Sequence, residues 1–478
     1  MKHPFIDSFE RFQQDFSRRT FLQKSFAGIG GMALSQLLGS GSGSPQPFLQ
    51  SKGGLHFPAR AKRIVHLCMA GGPSHLETFD PKPKLNALNG QPFPASFTAG
   101  QQLAQLQGRE LIARGSFTKF KPWGGSGIEI SELFPHIGSI ADEICVVRSM
   151  VTEQINHDPA HAFMNSGSML KGRPSMGSWL LYGLGAESQE LPGYVVMVSR
   201  GVDADQPISA RQWSAGFLPS KFQGVQFQSK GSAVHYVGSP DGVCQSTQRQ
   251  VIDEIQRLNG TLREERLDPE IETRISQYEM AFRMQSSVPE LSDMRNEPQH
   301  ILDMYGVKQP GDGSFASNCL LARRMLERGV RFVQLYHRGW DHHADIEKKM
   351  PASAKLTDQP SAALVKDLKQ RGLLEDTLVI WGGEFGRTPM GQGTGRDHHI
   401  KGFSLWMAGA GIKPGMVHGA TDELGYASVQ DIVHVRDFHA TLLHQFGIDH
   451  ARFTTKFQGL DYKLTGVEPA KAVQAIMV

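Results

Sequence analysis

The chain has 478 residues, of which 39% are hydrophobic and 20% are charged, and these values are typical of a soluble globular protein. The formal net charge is +3, and no block of Lys and Arg occurs outside the N-terminus, so composition gives no indication of nucleic-acid binding. The cysteines lie far apart, which excludes a zinc-finger spacing and a disulfide-dense scaffold.

Residues 1–44 carry the clearest targeting signal in the chain. Residues 17–22 contain two adjacent arginines and an apolar pair, and a weakly apolar segment and a Gly/Ser run follow. This order predicts a twin-arginine signal and linker, with the twin-arginine export machinery as partner and the periplasm or cell envelope as destination. The apolar segment is too short for a membrane-spanning helix, and we predict no transmembrane segment in the mature chain, residues 57–478.

Apolar runs and amphipathic patterns alternate through the mature chain. The predicted strands are 63–68, 144–148, 194–199, 331–336, 377–381 and 403–408. The predicted helices are 131–141, 161–167, 175–184, 247–285 with a break near Pro269, 314–329, 360–372 and 431–447. Such alternation indicates an α/β fold, a three-layer sandwich in which helices flank a mostly parallel central sheet. We expect one large domain over residues 57–478, with an irregular insertion near 200–245.

Residues 377–399 combine a buried strand with a cluster of polar side chains. The apolar run ends at Gly382 and Gly383, and acidic, basic and histidine residues follow at once. Ligands of open α/β sheets bind beyond the carboxyl ends of the strands, so this placement favours a site for a metal and an anion. The alternative is a glycine-rich surface loop whose charges are solvated.

Four loops that follow predicted strands carry candidate ligands. They are Ser74, His75 and Asp80; His157, Asp158 and His161; Asp341, His342, His343 and Asp345; and Glu384, Arg387, Arg396, Asp397, His398 and His399. Imidazole mixed with carboxylate suits zinc, manganese or iron, whereas all-oxygen sets favour calcium or magnesium. Arginine binds phosphate or sulfate through two parallel hydrogen bonds. We therefore predict a divalent metal (zinc, manganese, iron or calcium) with an anionic ligand.

These motifs resemble those of the alkaline phosphatase/sulfatase superfamily. More narrowly, the chain is similar to an uncharacterised family of twin-arginine-exported bacterial proteins related to sulfatases. The resemblance rests on residues 71–75 with 78–83, on 340–343, on 383–389 and on 395–399. It implies the superfamily's α/β sandwich and a metal-dependent hydrolase whose substrate is a small-molecule or polysaccharide ester.

The resemblance also implies roles for individual residues. His157 falls at the nucleophile position and would act as nucleophile or general acid/base, while Arg387 or Arg396 would hold the anion. The implied metal ligands are Asp341, His343, Glu384 and His399. Possible additional site residues are Ser74, His75, Asp80, His161, His342, Asp345, Asp397 and His398. In each His-His pair, we expect one histidine to face the site.

The sequence departs from the superfamily pattern in two ways. The first strand ends at Met69 without the metal-binding Asp, and no Ser, Thr or Cys occupies the nucleophile position. Two hypotheses therefore remain. The chain is an exported metal-dependent hydrolase of sulfate, phosphate or related esters, or it is a non-catalytic relative with a binding or structural role at the cell envelope.

Overall fold

The computed structural model describes residues 47–478, except residues 102, 204, 232, 235–243 and 267–268. The export signal predicted at 1–44 lies outside the described residues, as does part of the insertion predicted near 200–245. Among the described helices, none is both long enough and apolar enough to cross a membrane.

The described elements are as follows. The strands are β1 Arg63–Met69, β2 Phe120–Trp123, β3 Ile128–Ser131, β4 Ile144–Val151, β5 Tyr194–Ser199, β6 Val225–Phe227, β7 Phe332–His337, β8 Thr377–Gly382, β9 Gly386–Gln392, β10 Gly395–His399, β11 Phe403–Ala408, β12 Met416–His418, β13 Ala420–Thr421, β14 Ser428–Gln430, β15 Val433–His434, β16 Thr455–Phe457 and β17 Leu460–Tyr462. The α-helices are α1 Phe48–Ser51, α2 Pro83–Ala87, α3 Ala95–Thr98, α4 Pro135–Gly138, α5 His157–Ser166, α6 Met176–Leu184, α7 Gln245–Arg266, α8 Pro269–Ser292, α9 Gln299–Tyr305, α10 Phe315–Glu327, α11 Ile346–Gln370 and α12 Val435–Gln445. Short 3-10 helices are His75–Glu77, Ala141–Glu143, Ala210–Trp213, Ser220–Phe222 and Gln474–Ile476.

The central sheet has the strand order β12-β4-β11-β8-β1-β7-β5-β6, and β15 also pairs with β4. Within this described sheet, β11 alone runs antiparallel to its neighbours, β4 and β8. The other pairs are parallel. The carboxyl ends of β4, β8, β1 and β7 therefore lie at the same edge of the sheet.

Both faces of the sheet are covered, as the continuous apolar strands predict. Alternate β1 side chains enter opposite cores: Val65 belongs to the same core as Leu320 of α10 and Leu364 of α11, whereas Ile64 shares the other core with α6 and α12. Trp179 is one of the α6 residues in that second core. The prediction of a three-layer α/β sandwich is confirmed.

Two predicted helices differ from the structure. Residues 131–141 contain the end of β3 and the short α4, because Ile128 and Ile130 point inward and pair with β2. The helix predicted to begin at 360 begins at Ile346 instead and includes Pro360. Apolar side chains spaced four residues apart through its first turns are buried, so packing outweighs the cost of an internal proline.

The segment after Gly383 is not a solvated surface loop. It forms the antiparallel hairpin β9–β10. Arg387, Arg396 and His398 on this hairpin are at most 6% exposed. The polar cluster predicted from residues 377–399 is therefore built into the protein interior, at the edge of the central sheet.

Candidate metal centre

Side chains from two loops, one helix and strand β10 meet beyond the carboxyl ends of the parallel strands. Asp341 follows β7, Glu384 follows β8, and His157 is the first residue of α5, which comes after β4. The loop after β1 contributes Gly71, whose amide lies 3.0 Å and 3.2 Å from the two carboxylate oxygens of Glu384. This is the strand edge at which open α/β sheets bind ligands.

Gly71 permits the close approach of these loops. Its φ is +121°, and a Cβ at this position would lie 2.4 Å from the Asp341 backbone nitrogen. A side chain would therefore both strain the backbone and displace the loop that carries Asp341. Gly71 thus lets the loop after β1 and the loop after β7 touch.

The first donor group consists of His157, Asp341, His343 and His398. One ligand atom of each lies within 4.8 Å of the others. Asp341 Oδ1 is 2.9 Å from His343 Nε2 and 3.2 Å from His398 Nε2, and Asp341 Oδ2 is 3.1 Å from His157 Nε2. Three imidazoles and a carboxylate from helix α5, the loop after β7 and strand β10 thus face one point.

The second donor group consists of His157, His161 and Glu384, whose ligand atoms also lie within 4.8 Å of one another. His157 Nδ1 is 2.7 Å from Glu384 Oε1, and His161 Nε2 is 3.3 Å from the same oxygen. His157 and His161 are four residues apart on α5 and so project from the same side of that helix. His157 therefore belongs to both groups.

The hydrogen bonds of the imidazoles fit a bound cation. His398 Nδ1 lies 2.7 Å from the Ile155 carbonyl oxygen, and His343 Nδ1 contacts Gln392 Oε1. Because both oxygens only accept hydrogen bonds, each Nδ1 donates, and each Nε2 presents a lone pair. These two Nε2 atoms are 2.9 Å apart beside a carboxylate. Such lone pairs repel one another unless a cation or a proton lies between them, and second-sphere acceptors of this kind commonly orient metal-bound histidines.

The site is open on one side and closed on the other. The side chains of Asp341 and His343 are 21% and 25% exposed, and that of His157 is 12% exposed. His161 and Glu384 are fully buried. The first donor group is therefore accessible to solvent, and His161 and Glu384 of the second group are not.

Charges within the site shift its pKa values strongly. Burial acts to raise the pKa of Glu384, but the His161 and His157 imidazoles hold it at about 2. Burial acts to lower the pKa of His157, but contacts with Asp341 and Glu384 outweigh it and raise the pKa to about 9. Burial lowers the pKa of His161. Without a metal, His157 is therefore protonated at neutral pH between two carboxylates.

This raised pKa predicts how the metal-free protein responds to pH. His157 has a pKa near 6.5 when unfolded and about 9 when folded, so its stabilising contribution is complete below pH 6.5 and is lost as pH rises through about 9. We expect the free energy of unfolding in EDTA to fall by about 2–3 kcal/mol between pH 6.5 and 9.5. Urea denaturation at each pH measures this free energy of unfolding. His157→Gln should flatten the profile, and an unchanged slope in that variant would contradict the assignment.

Both arginines predicted to hold an anion are instead structural. Arg387 is 1% exposed. It donates from Nε to Gly72 O at 2.9 Å, from Nη1 to Arg396 O at 3.2 Å and from Nη2 to Asp341 Oδ1 at 2.7 Å. Arg396 is fully buried and pairs with Glu77 at 2.5 Å. Its remaining donors bond to the carbonyls of Arg114, Gly115 and Thr388. We therefore correct the prediction: these guanidinium groups fix loops.

His399 does not join the donor groups, and His398 takes the place predicted for it. His399 Nε2 contacts the Tyr426 carbonyl oxygen, and the two rings pack with centroids 4.6 Å apart. The physical reason is strand geometry, because consecutive residues of β10 point to opposite faces. The other His-His pair divides in the same way: His343 faces the site, and His342 Nε2 bonds to Gly339 O at 3.1 Å.

His157 was predicted as a nucleophile or general acid/base, and the structure places both of its ring nitrogens next to carboxylates. Each ring nitrogen faces a carboxylate within 3.1 Å. A nucleophile needs a nitrogen that faces the substrate, so this geometry does not favour that role, and the role as general acid/base stays a prediction.

The other candidate residues lie outside both donor groups. Asp80 pairs with Lys82 at 2.9 Å, and His75 Nε2 lies 2.9 Å from Gly425 O. Asp397 accepts hydrogen bonds from the amides of residues 105, 106 and 398. Ser74 is buried before a 3-10 helix, and Asp345 is the N-cap of α11. His161, named as a possible addition, lies in the second group.

Sequence reasoning missed several supporting residues. Glu77 is the buried partner of Arg396, and Gln392 orients His343. The Phe385 ring packs against His398 and His157, with centroid distances of 4.5 Å and 5.0 Å. Of these, Glu77 had a usable signal, since an acid that follows Leu76 and precedes Phe79 by two residues, near a strand end, is a candidate buried partner.

Fold and donor groups together define an α/β protein with a candidate metal centre at the carboxyl edge of its sheet. The chain belongs to the family described as protein of unknown function (DUF1501), whose family model matches residues 61–477. The predicted membership in an uncharacterised family is thereby confirmed. A comparison with curated proteins gives no significant match.

Several solved structures are similar to the chain at low identity. The PsFucS1 sulfatase from Pseudoalteromonas sp. is 14% identical, with 81% of this chain and 68% of that chain covered and a TM-score of 0.33. The lipoteichoic acid synthase LtaP from Listeria monocytogenes is 10% identical, with coverages of 87% and 77% and a TM-score of 0.38. A protein in the alkaline phosphatase superfamily from Vibrio parahaemolyticus is 10% identical, with coverages of 86% and 70% and a TM-score of 0.33.

Proposed function

We propose that this protein is an exported, metal-dependent hydrolase of sulfate, phosphate or related esters. The observation that carries the proposal is the convergence of Asp341, His157, His343 and His398 on one point that opens to solvent. The substrate class follows from the motif resemblance, and residues 1–44 supply the export signal of a domain that spans 57–478. The imidazole-rich donor set favours zinc, manganese or iron over calcium.

The residues of the proposed site would have the following roles. Asp341, His343 and His398 would hold the metal, with His157 completing the set. When bound, a divalent cation acts as a Lewis acid that polarises an ester oxygen and lowers the pKa of water. Arg387 bonds to Asp341 Oδ1 at 2.7 Å and so fixes the orientation of that carboxylate. The substrate would approach from the exposed side, at Asp341 and His343.

A non-catalytic role remains the second candidate, and one observation favours it. The two arginines expected to bind the substrate anion are buried against Glu77, Asp341 and backbone carbonyls. A protein without those anion contacts could use the same metal centre for binding at the cell envelope.

Metal analysis and turnover separate these functions. We expect protein purified without chelator to contain a divalent metal and to hydrolyse 4-nitrophenyl sulfate or phosphate, and we expect EDTA treatment to abolish turnover with recovery on metal addition. A metal-loaded protein without turnover on sulfate, phosphate and phosphonate esters would favour the binding role. Protein that holds no divalent metal would overturn the proposal.

A further inference from the structure

His157 links the two donor groups through opposite sides of its ring. Nε2 lies 3.1 Å from Asp341 Oδ2, and Nδ1 lies 2.7 Å from Glu384 Oε1. Among the described residues, it is the one member common to both groups. The rings of His398 and Phe385 pack against it, with centroids 4.4 Å and 5.0 Å away, and hold its orientation.

The second donor group contains a histidine whose ring nitrogens have no hydrogen-bond partner among the described residues. His161 is fully buried, and within the described chain neither of its ring nitrogens forms a hydrogen bond. Its Nε2 nevertheless lies 3.3 Å from Glu384 Oε1. A buried polar group without a partner costs free energy, so such an atom indicates a missing partner.

The two carboxylates provide matching charge for two cations. Asp341 serves the first group and Glu384 the second, and each carboxylate lies within 3.3 Å of at least two imidazole nitrogens. The first group offers four ligand atoms and the second offers three, if each uses one nitrogen of His157. Both numbers suffice for zinc, whose sites use three or four protein ligands.

We infer that the site binds two divalent cations and that the imidazolate of His157 bridges them. This inference rests on the proposed metal centre. It adds the number of cations in that centre and a role for His157, which falls at the nucleophile position. Each cation takes one ring nitrogen, so the ring gives up both N–H protons to solvent water. His161 and Glu384 complete the buried half of the centre, and Asp341, His343 and His398 complete the exposed half.

A single cation is the competing arrangement. In that case Glu384 would accept a hydrogen bond from His157 Nδ1 and orient its Nε2 toward a cation in the exposed half, as carboxylates commonly do behind metal-bound histidines. The two arrangements differ in the number of cations and in whether one histidine joins them. Both quantities can be measured without an activity assay.

Zinc stoichiometry provides the first test. The chelator-treated protein, dialysed against zinc, should hold two zinc ions per chain by native mass spectrometry. His161→Ala leaves the buried half with two ligands, fewer than zinc sites use, and should hold one zinc ion, whereas the control His399→Gln should hold two. One zinc in the unmodified protein overturns the inference but leaves the proposed metal centre intact, and no zinc overturns both.

Copper substitution tests the bridge itself. Two Cu(II) ions joined by an imidazolate couple magnetically, so the two-copper protein should show a reduced paramagnetic resonance signal with the temperature dependence of a coupled pair. His157→Gln should abolish the coupling and leave only the signal of isolated Cu(II), while His399→Gln should not. Uncoupled copper in the unmodified protein overturns the bridge, and this result does not depend on the folding of any variant.

Discussion

Arg396→Ala is expected to lower the free energy of unfolding by about 3–5 kcal/mol, because it leaves the carboxylate of Glu77 buried without its partner. Both side chains are fully buried, with Arg396 Nη2 2.5 Å from Glu77 Oε1. The substitution also removes the hydrogen-bond donor of the carbonyls of Arg114, Gly115 and Thr388, which accept from the same guanidinium. Urea denaturation monitored by circular dichroism measures the loss.

An exposed ion pair on the same protein provides the control. Lys84 pairs with Glu423 at the surface, where the two side chains are 68% and 52% exposed. Lys84→Ala should change stability by less than about 1 kcal/mol, because solvent screens such pairs. If Arg396→Ala proved as mild as Lys84→Ala, the buried network around Glu77 would not hold the hairpin and the loop after β1 together.

His398→Gln is expected to weaken metal binding by at least about 100-fold, because loss of a metal ligand should exceed the 10–100-fold cost of removing an orienting partner. His398 Nε2 lies 3.2 Å from Asp341 Oδ1 and 2.9 Å from His343 Nε2, so glutamine would remove one of the facing nitrogens. Competition with a chromogenic chelator measures the dissociation constant.

His399→Gln is the matched control for this prediction. It changes the same residue type one position along β10, but His399 contacts the Tyr426 carbonyl and not the donor groups. Its metal affinity should stay within about twofold of the unmodified protein, an effect of only about 0.4 kcal/mol. Should His399→Gln lose the metal while His398→Gln retains it, the register of the hairpin described above would be wrong.

The elements with strong apolar runs could be predicted from the sequence almost residue by residue. Strands β5 and β11 have the predicted bounds, because Tyr194–Ser199 and Phe403–Ala408 are buried on both faces and end at polar or glycine residues. The start of α11 was missed because Pro360 suggested a helix start, whereas burial of Ile346 and Met350 extends the helix across it. Tertiary packing here outweighed a local signal.

The candidate site was predictable in composition but not in detail. Asp341, His343, Glu384 and His157 meet at the strand edge where the alternating pattern placed them. The choice between His398 and His399 depends on which face of β10 each one occupies, and a one-residue shift in register exchanges the two faces. Sequence pattern did not reveal that residues 386–399 form a hairpin, so it could not make that choice.

The arginines were misassigned for a different reason. Arginine next to a candidate metal site has the same sequence signature whether it binds a substrate anion or the protein's own carbonyls. The acceptors of Arg387 come from Gly71, Gly72, Trp340 and Arg396, which lie up to 316 residues away in the chain. Local sequence contains no information about such backbone acceptors.

The contacts of Arg387 have a consequence for how the cation would enter. One guanidinium ties the turn after β1, the loop after β7 and strand β10 to one another. These contacts would hold the donor atoms in place without an ion, so that the ordering cost would fall on folding and not on metal binding. We therefore expect metal binding, and exchange of one metal ion for another, to leave the backbone conformation unchanged.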